Sequence, residues 1–335
     1  MKEEEIRPLR VFDEYLRLAQ QDAVRFFADV QRLAGFCPAC ASPGQLAFTK
    51  SGFDYELCPR CFTLFVNPRP VAEAFSRYYT DSPSAKYWAT TFYKQTAEAR
   101  RQKLWKPKAQ LIHRSLLRYQ AAHHSVIDIG GGFGLFAEEM QLLAGQPVTV
   151  IEPGPDLANV CREKSLIVIE KFLEQVAIGE LPNGPKAFVS FELFEHLHSP
   201  AAFLGCLKEL MGPGDLFIFT TLSGSGVDIQ ALWEHSKSVS PPHHLNFLNP
   251  TSVAILLEHV GLELLEVTTP GKLDIDILSN CRDDIKDRFW RTFIATASAP
   301  VMEQWQNLLA ESGFSSHMMV ICRAPARSSA ITDDS

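Results

Sequence analysis

The chain has 335 residues, a length that suits about two domains, and is 46% hydrophobic, 21% charged and 10% aromatic. That composition supports a buried core and excludes disordered, collagen-like and small disulfide-stapled classes. With 32 basic against 39 acidic residues the net charge is −7, the wrong sign for a general nucleic-acid or anionic-membrane binder.

No apolar run approaches the ~18 residues of a membrane helix. The acidic start Met1-Lys2-Glu3-Glu4-Glu5 does not read as a secretory signal. A cytoplasmic protein is expected, whose eight cysteines are thiols or metal ligands rather than disulfides.

Residues 1–34 predict one amphipathic helix, with Leu16, Val24, Phe27, Val30 and Leu33 at helical spacing and Gly35 as its stop. Residues 35–70 lose that period and hold Cys37-Pro38-Ala39-Cys40 and Cys58-Pro59-Arg60-Cys61, separated by 17 residues. Two C-x-x-C pairs at this distance are the pattern of a metal module. Four thiolates close a tetrahedral shell, so Zn2+ held there is structural rather than catalytic; an iron–sulfur cluster is the other reading. Zinc ribbons also bind nucleic acid, but residues 37–61 offer only Lys50 and Arg60 as bases against Asp54 and Glu56. A scaffold or lid role fits better.

Residues 71–120 return to helical pattern with many aromatic rings and form an expected lid or linker. Tyr79, Tyr87, Trp88 and Tyr93 are candidates to close over a ligand, and Arg101 is a candidate partner for an anionic acceptor. Across 121–324 the pattern alternates strand and helix. Strands are expected at 126–129, 148–151, 166–169, 187–191, 216–221 and 262–268, with a last edge strand at 317–323. Helices are expected at 135–144, 156–164, 199–211 and 251–260, and a mostly helical insertion at about 271–312. This rhythm predicts an α/β fold with a mostly parallel, doubly wound sheet. Asp274 and Asp276 alternate with Leu273, Ile275 and Ile277, as in a strand that points both acids into a cleft or lies at an exposed edge. The 325–335 tail is polar and expected to be disordered.

The first of these strands runs into Asp128-Ile129-Gly130-Gly131-Gly132-Phe133-Gly134 and then a helix. Glycines there permit a tight turn and close approach of a ligand to the backbone. A dinucleotide fingerprint needs its third glycine at 135, where this chain has Leu135. The D-x-G-x-G-x-G form suits S-adenosylmethionine (SAM), whose amino-acid end the loop would hold. Glu152 ends the next strand, placed to accept hydrogen bonds from ribose hydroxyls.

With these motifs the sequence resembles the class I SAM-dependent methyltransferases over about residues 120–270 and 313–324. Asp128, Gly130, Gly132 and Gly134 match the family's first motif and Glu152 its ribose-binding acid. Phe188–Leu197, with Phe191 at the cofactor, looks like the fourth-strand motif, and Leu210–Asp215 like the turn that follows. The resemblance implies a Rossmann-like sheet of seven strands, the last antiparallel. A narrower likeness takes in the cysteine module, Asn67-Pro68-Arg69-Pro70 and Pro242-His243-His244-Leu245-Asn246-Phe247. It looks like the zinc-containing methyltransferases of sugar and glycan biosynthesis, the deoxysugar C-methyltransferases among them. That branch implies a small-molecule acceptor such as a nucleotide-linked sugar. Its Tyr-His-Glu-His signature is present here only as the final histidine.

Methyl transfer to oxygen, nitrogen or activated carbon needs alignment and a base for the acceptor's proton. Glu192, Glu195 and His196 follow the fourth strand, and His243 and His244 lie in a Pro-rich loop after the fifth. Adjacent histidines in extended chain face opposite ways, and His244 matches the sugar-branch histidine. It is the expected base or acceptor-orienting group, with His196 and Glu195 in reserve. His198, His235 and the pair His123-His124 are expected at the surface.

Overall fold

A computed structural model describes residues 2–326. The expected disordered tail lies almost wholly outside that range. The first helix, α1 (Leu9–Phe27), stops well short of residue 34. Its buried stripe is Phe12, Tyr15, Ala19, Ala23 and Phe27, at three- and four-residue steps. Val24 falls out of that phase and is 66% exposed, so it is not a stripe residue. Leu33 belongs to a two-residue strand, β1 (Arg32–Leu33), paired with β5 (Arg69–Pro70). Gly35 therefore does not end the helix.

The cysteine module is a small antiparallel sheet of β2 (Gln45–Lys50), β3 (Phe53–Leu57) and β4 (Leu64–Val66). Residues 71–120 are almost continuously helical: α2 (Ala72–Asp81), α3 (Pro83–Tyr87), α4 (Tyr93–Arg100) and α5 (Lys106–Arg118). Wider π-helical turns interrupt them at Trp88–Phe92 and Arg101–Trp105, a local form found frequently at functional sites.

Beyond the lid come β6 (Ser125–Ile129), α6 (Leu135–Ala144), β7 (Thr149–Ile151), α7 (Pro155–Glu163), β8 (Ile167–Ile169) and β9 (Lys186–Phe191). Then follow α8 (Pro200–Leu210), β10 (Leu216–Leu222), α9 (Val227–Leu232), β11 (Asn246–Phe247), α10 (Pro250–Val260) and β12 (Glu263–Thr268). The chain closes with α11 (Asp274–Asn280), α12 (Arg288–Thr296), α13 (Ala299–Glu311) and β13 (His317–Arg323). The main sheet has the order β12-β13-β10-β9-β6-β7-β8. All neighbours are parallel except β13, which is antiparallel to both β10 and β12. This is the expected seven-stranded Rossmann-like α/β sheet. The central strands are buried on both faces and are largely apolar, with Ser190, Thr220 and Thr221 toward their carboxyl ends.

Three further expectations change. β13 is not an edge strand: it slots between β10 and β12, and Met318, Val320 and Cys322 pack into the main core. From Asp274 the 273–277 stretch is helix, not strand. Asp274 is buried and accepts hydrogen bonds from Ser315 Oγ (2.6 Å), the Ser316 amide (2.6 Å) and Gln306 (2.7 Å). His124 is buried, its Nδ1 3.1 Å from the Lys186 carbonyl. To the cysteine module β11, which follows β10 in the chain, adds a fourth strand beside β4.

Candidate active site

At the carboxyl end of β6 the chain turns through Gly130, Gly132 and Gly134 with φ of 71°, 55° and 67°, a region that costs other residues strain. At Gly134 a Cβ would also stand 2.6 Å from Leu166 Cδ1. Glu152, at the end of β7, receives the Gly132 amide on one carboxylate oxygen and the Gly154 amide on the other, both at 2.9 Å. The acid expected beside the glycine loop is therefore bound to it directly. Asp128 is buried below the loop, one oxygen without a partner. Burial, then the nearby Glu152 charge, raises its pKa to about 7. Cys161 donates from beneath to the Gly132 carbonyl at 3.2 Å.

Phe191 ends β9, but its ring packs in the core 4.4 Å from Phe136 and under Lys108, whose Nζ lies 4.8 Å from the ring centre. From above, Tyr93 stacks on Phe133 with centroids 3.4 Å apart. Of the four lid aromatics considered, Tyr93 is the one that stacks on the glycine loop. Trp88 instead stands over Tyr15, and Tyr79 over His243.

Beyond β9 the backbone of Glu192 takes φ 52°, unusual for a glutamate and typical of functional turns. Its carboxylate receives Lys108 Nζ at 3.0 Å and the Thr220 hydroxyl at 2.8 Å, and His317 stands 3.5 Å away. Burial opposes its charge, but Lys108 and His317 prevail and hold the pKa well below the carboxylate range. Glu195 is buried and receives the Thr221 hydroxyl at 2.8 Å. Burial, then the Glu192 charge, raises it to about 8.

The histidines of the two loops converge. His196 is 4.8 Å from His244 and 6.1 Å from His243, ring to ring. Residues 241–243 form a turn rather than extended chain, so both neighbouring rings reach His196, contrary to the expectation for adjacent histidines. His243 is taken up by a hydrogen bond with Tyr78. His244 places Nδ1 2.6 Å from the Ser238 carbonyl; a proton on Nδ1 satisfies that bond and leaves Nε2 with its lone pair. Burial lowers His244 to about 4; burial, then His244, lowers His196 to about 3. Both are neutral bases at pH 7. Donor atoms of Glu195, His196 and His244 all lie within 4.8 Å of one another, close enough to surround one acceptor hydroxyl or cation.

The cysteine module builds this loop. Tyr55 donates its hydroxyl to the His244 carbonyl at 2.8 Å, and the Val66 amide donates to the Leu245 carbonyl at 2.9 Å. Arg69 donates to Asn246 Oδ1 at 2.9 Å and to the His198 carbonyl, while Asn246 donates to the Leu197 carbonyl at 2.7 Å. The Sγ atoms of Cys37, Cys40, Cys58 and Cys61 are buried and within 4.8 Å of one another, with Cys37–Cys61 and Cys40–Cys58 both at 3.4 Å. Thiolates around zinc at about 2.3 Å stand about 3.8 Å apart, so the donor set fits that ion.

Arg101 does not face an acceptor. It binds Glu138 at 2.6 Å and Glu139 at 2.8 Å and ties the lid to α6. The anchors that sequence reasoning missed are Lys108 and His317, lone basic residues on a helix and a strand with no motif around them.

A seven-stranded sheet with this strand order, a positive-φ glycine turn and an acid bound to that turn define a Rossmann-like methyltransferase. The chain belongs to the family described as Methyltransferase domain, whose model matches residues 97–267, just over half its length. It is 28% identical over 162 residues to a ubiquinone biosynthesis O-methyltransferase of Xanthomonas euvesicatoria, covering 45% of this chain and 67% of that protein. To the protein of that name in Xylella fastidiosa it is 29% identical over 155 residues, 43% of this chain and 62% of the relative. Among solved structures, the plantazolicin methyltransferase BpumL in complex with a desmethyl-plantazolicin analogue and SAH superposes with a TM-score of 0.48 at 11% identity, over 75% of this chain and 95% of that one.

Proposed function

We propose that the protein transfers a methyl group from SAM to an oxygen of a small polar acceptor held between the glycine loop and the His196–His244 cluster. The observation that carries this reading is their adjacency: Leu193, in the turn that bears Glu195 and His196, stands 3.5 Å from the Cβ position of Gly130. The relatives' O-methyltransferase names support oxygen as the acceptor atom. The sugar-branch reading, including a nucleotide-linked sugar, rests on the sequence motifs alone.

Bound SAM would supply an electrophilic methyl on its sulfonium, with its amino-acid end at Gly130–Gly134 and its ribose on the free lone pairs of Glu152. The chain's own residues align the acceptor and exclude water, which the closed lid aromatics favour. His244 Nε2 takes the proton of the acceptor hydroxyl. Glu195 and His196 orient the acceptor beside it. Zinc on Cys37, Cys40, Cys58 and Cys61 would hold the module that carries Tyr55 and Val66 against the His244 loop.

Calorimetric titration tests the reading. SAM and SAH are expected to bind one per chain, and methyl transfer is expected to a hydroxyl-bearing acceptor. Binding of NAD in place of SAM would overturn it.

A further inference from the structure

Two arginines have no acid partner, Arg100 buried and Arg7 half-buried. Arg7 precedes α1 and Arg100 ends α4; Arg100 is only 9% exposed. The Nε of each is buried and makes no hydrogen bond. Among the described residues, no side-chain hydrogen bond or ion pair involves either guanidinium. Each lies against aromatic rings: Arg7 is 5.4 Å from the Phe12 centroid, Arg100 5.8 Å from Trp88 and 6.0 Å from Phe92. Those rings are one cluster. Phe12 and Phe92 are 6.1 Å apart, Trp88 and Phe92 4.1 Å, and Trp88 and Tyr15 4.8 Å. Tyr15 in turn lies 5.4 Å from His243. The two guanidiniums thus flank an aromatic wall that leads to the histidine cluster.

The carboxylates of the site and of α6 are engaged elsewhere: Glu192 by Lys108 and Thr220, Glu195 by Thr221, Glu138 and Glu139 by Arg101. Burial and the like charge of Arg7 press the Arg100 pKa down to about 10, which still leaves a cation at neutral pH. Two like charges without a counterion, one of them buried, are costly, and aromatic faces offset only part of that cost. A guanidinium fork is shaped for the paired oxygens of a carboxylate or phosphate.

We infer that Arg7 and Arg100 form the receptor for an anionic oxygen group, a carboxylate or a phosphate, on the methyl acceptor. The inference rests on the reading of an acceptor site under the lid. The acceptor's anionic end lies against the arginines, its body along Phe12, Tyr15 and Trp88, and its reacting hydroxyl at His244. The anion is the acceptor's rather than SAM's own carboxylate, because two cations flank a wall that leads to His243.

The test is calorimetry on the full chain with inorganic phosphate and with benzoate as probes, each with and without saturating SAH. Wild type is expected to bind both probes. Arg100→Met and Arg7→Met are each expected to weaken them at least tenfold, and Arg100→Lys by less, with SAH affinity unchanged throughout. Probes that bind the Met variants as well as wild type, or that fail to bind wild type, overturn the receptor. A tenfold loss of SAH affinity in the Met variants assigns the arginines to the cofactor's carboxylate and overturns the acceptor assignment. If wild type binds no SAH, the methyltransferase reading fails, while the titrations without SAH still score the arginines. Should Arg100→Met not fold, Arg7→Met, at a partly exposed position, decides.

Discussion

The Tyr55 hydroxyl, on a strand between the two cysteine pairs, donates to the carbonyl oxygen of His244 at 2.8 Å, across 189 positions of sequence. That bond ties the cysteine module to the loop that carries His243 and His244. Tyr55→Phe leaves a buried carbonyl without its donor, at a cost of about 1–3 kcal/mol. Methyl transfer is expected to fall several-fold with SAM affinity unchanged, because the glycine loop is untouched. Denaturant unfolding and SAM calorimetry on one preparation check both halves.

Metal removal should act through the same path. Freshly prepared protein is expected to contain one zinc per chain. Cys58→Ser, which deletes a ligand, is expected to disorder the module and with it the His244 loop, since metal binding there is folding free energy. Elemental analysis that finds neither zinc nor iron would refute the site.

Glu152 accepts the Gly132 and Gly154 amides, and ribose binding is its proposed second task. Glu152→Ala removes both and is expected to weaken SAM by about ten- to hundredfold, or roughly 1.5–3 kcal/mol. Glu152→Gln keeps one acceptor oxygen and should fall between. Equal SAM affinity in wild type and the Ala variant, by calorimetry, would contradict the placement.

His244→Ala should leave SAM affinity intact and lower methyl transfer by about 10²–10⁴. Single-turnover assays with saturating SAM and acceptor read this directly. Near-normal turnover in His244→Ala together with loss in His196→Ala would move the base to His196.

The pH dependence of stability should carry the mark of Asp128. Its folded pKa, about 7, is raised above its ordinary 3.8 chiefly by burial. Between those values the folded state binds more protons than the unfolded one, so stability falls as pH rises from about 4 to 7 and levels off above. Asp128→Asn removes the titration. The drop in thermal midpoint of the ligand-free protein between pH 5 and pH 8 is expected to be smaller in that variant than in wild type. An equal drop in both would show that Asp128 is not the titrating group.

Much of the architecture was legible because local chemistry specifies it. Gly130, Gly132 and Gly134 announce positive φ, the apolar runs at 126–129 and 187–191 announce buried parallel strands, and the cysteine spacing announces a tetrahedral donor set. Each signal lies within a few residues of chain, where sterics and solvation act directly.

What only the tertiary structure decided is how distant segments share polar groups. The pattern at 273–277 fits a strand, but the buried hydrogen bonds of Asp274 to Ser315, Ser316 and Gln306 accompany a helix. Arg101 and Arg100 are indistinguishable as letters, yet one meets Glu138 and Glu139 and the other points into an aromatic wall with no acid. His243 and His244 converge with His196 only because Tyr55, Val66 and β11 pin their loop to the module. Hydrophobic periodicity records which face of an element is buried. It carries no record of which polar group waits on the other side, because a hydrogen bond or ion pair depends on ångström-scale distances between segments far apart in the chain.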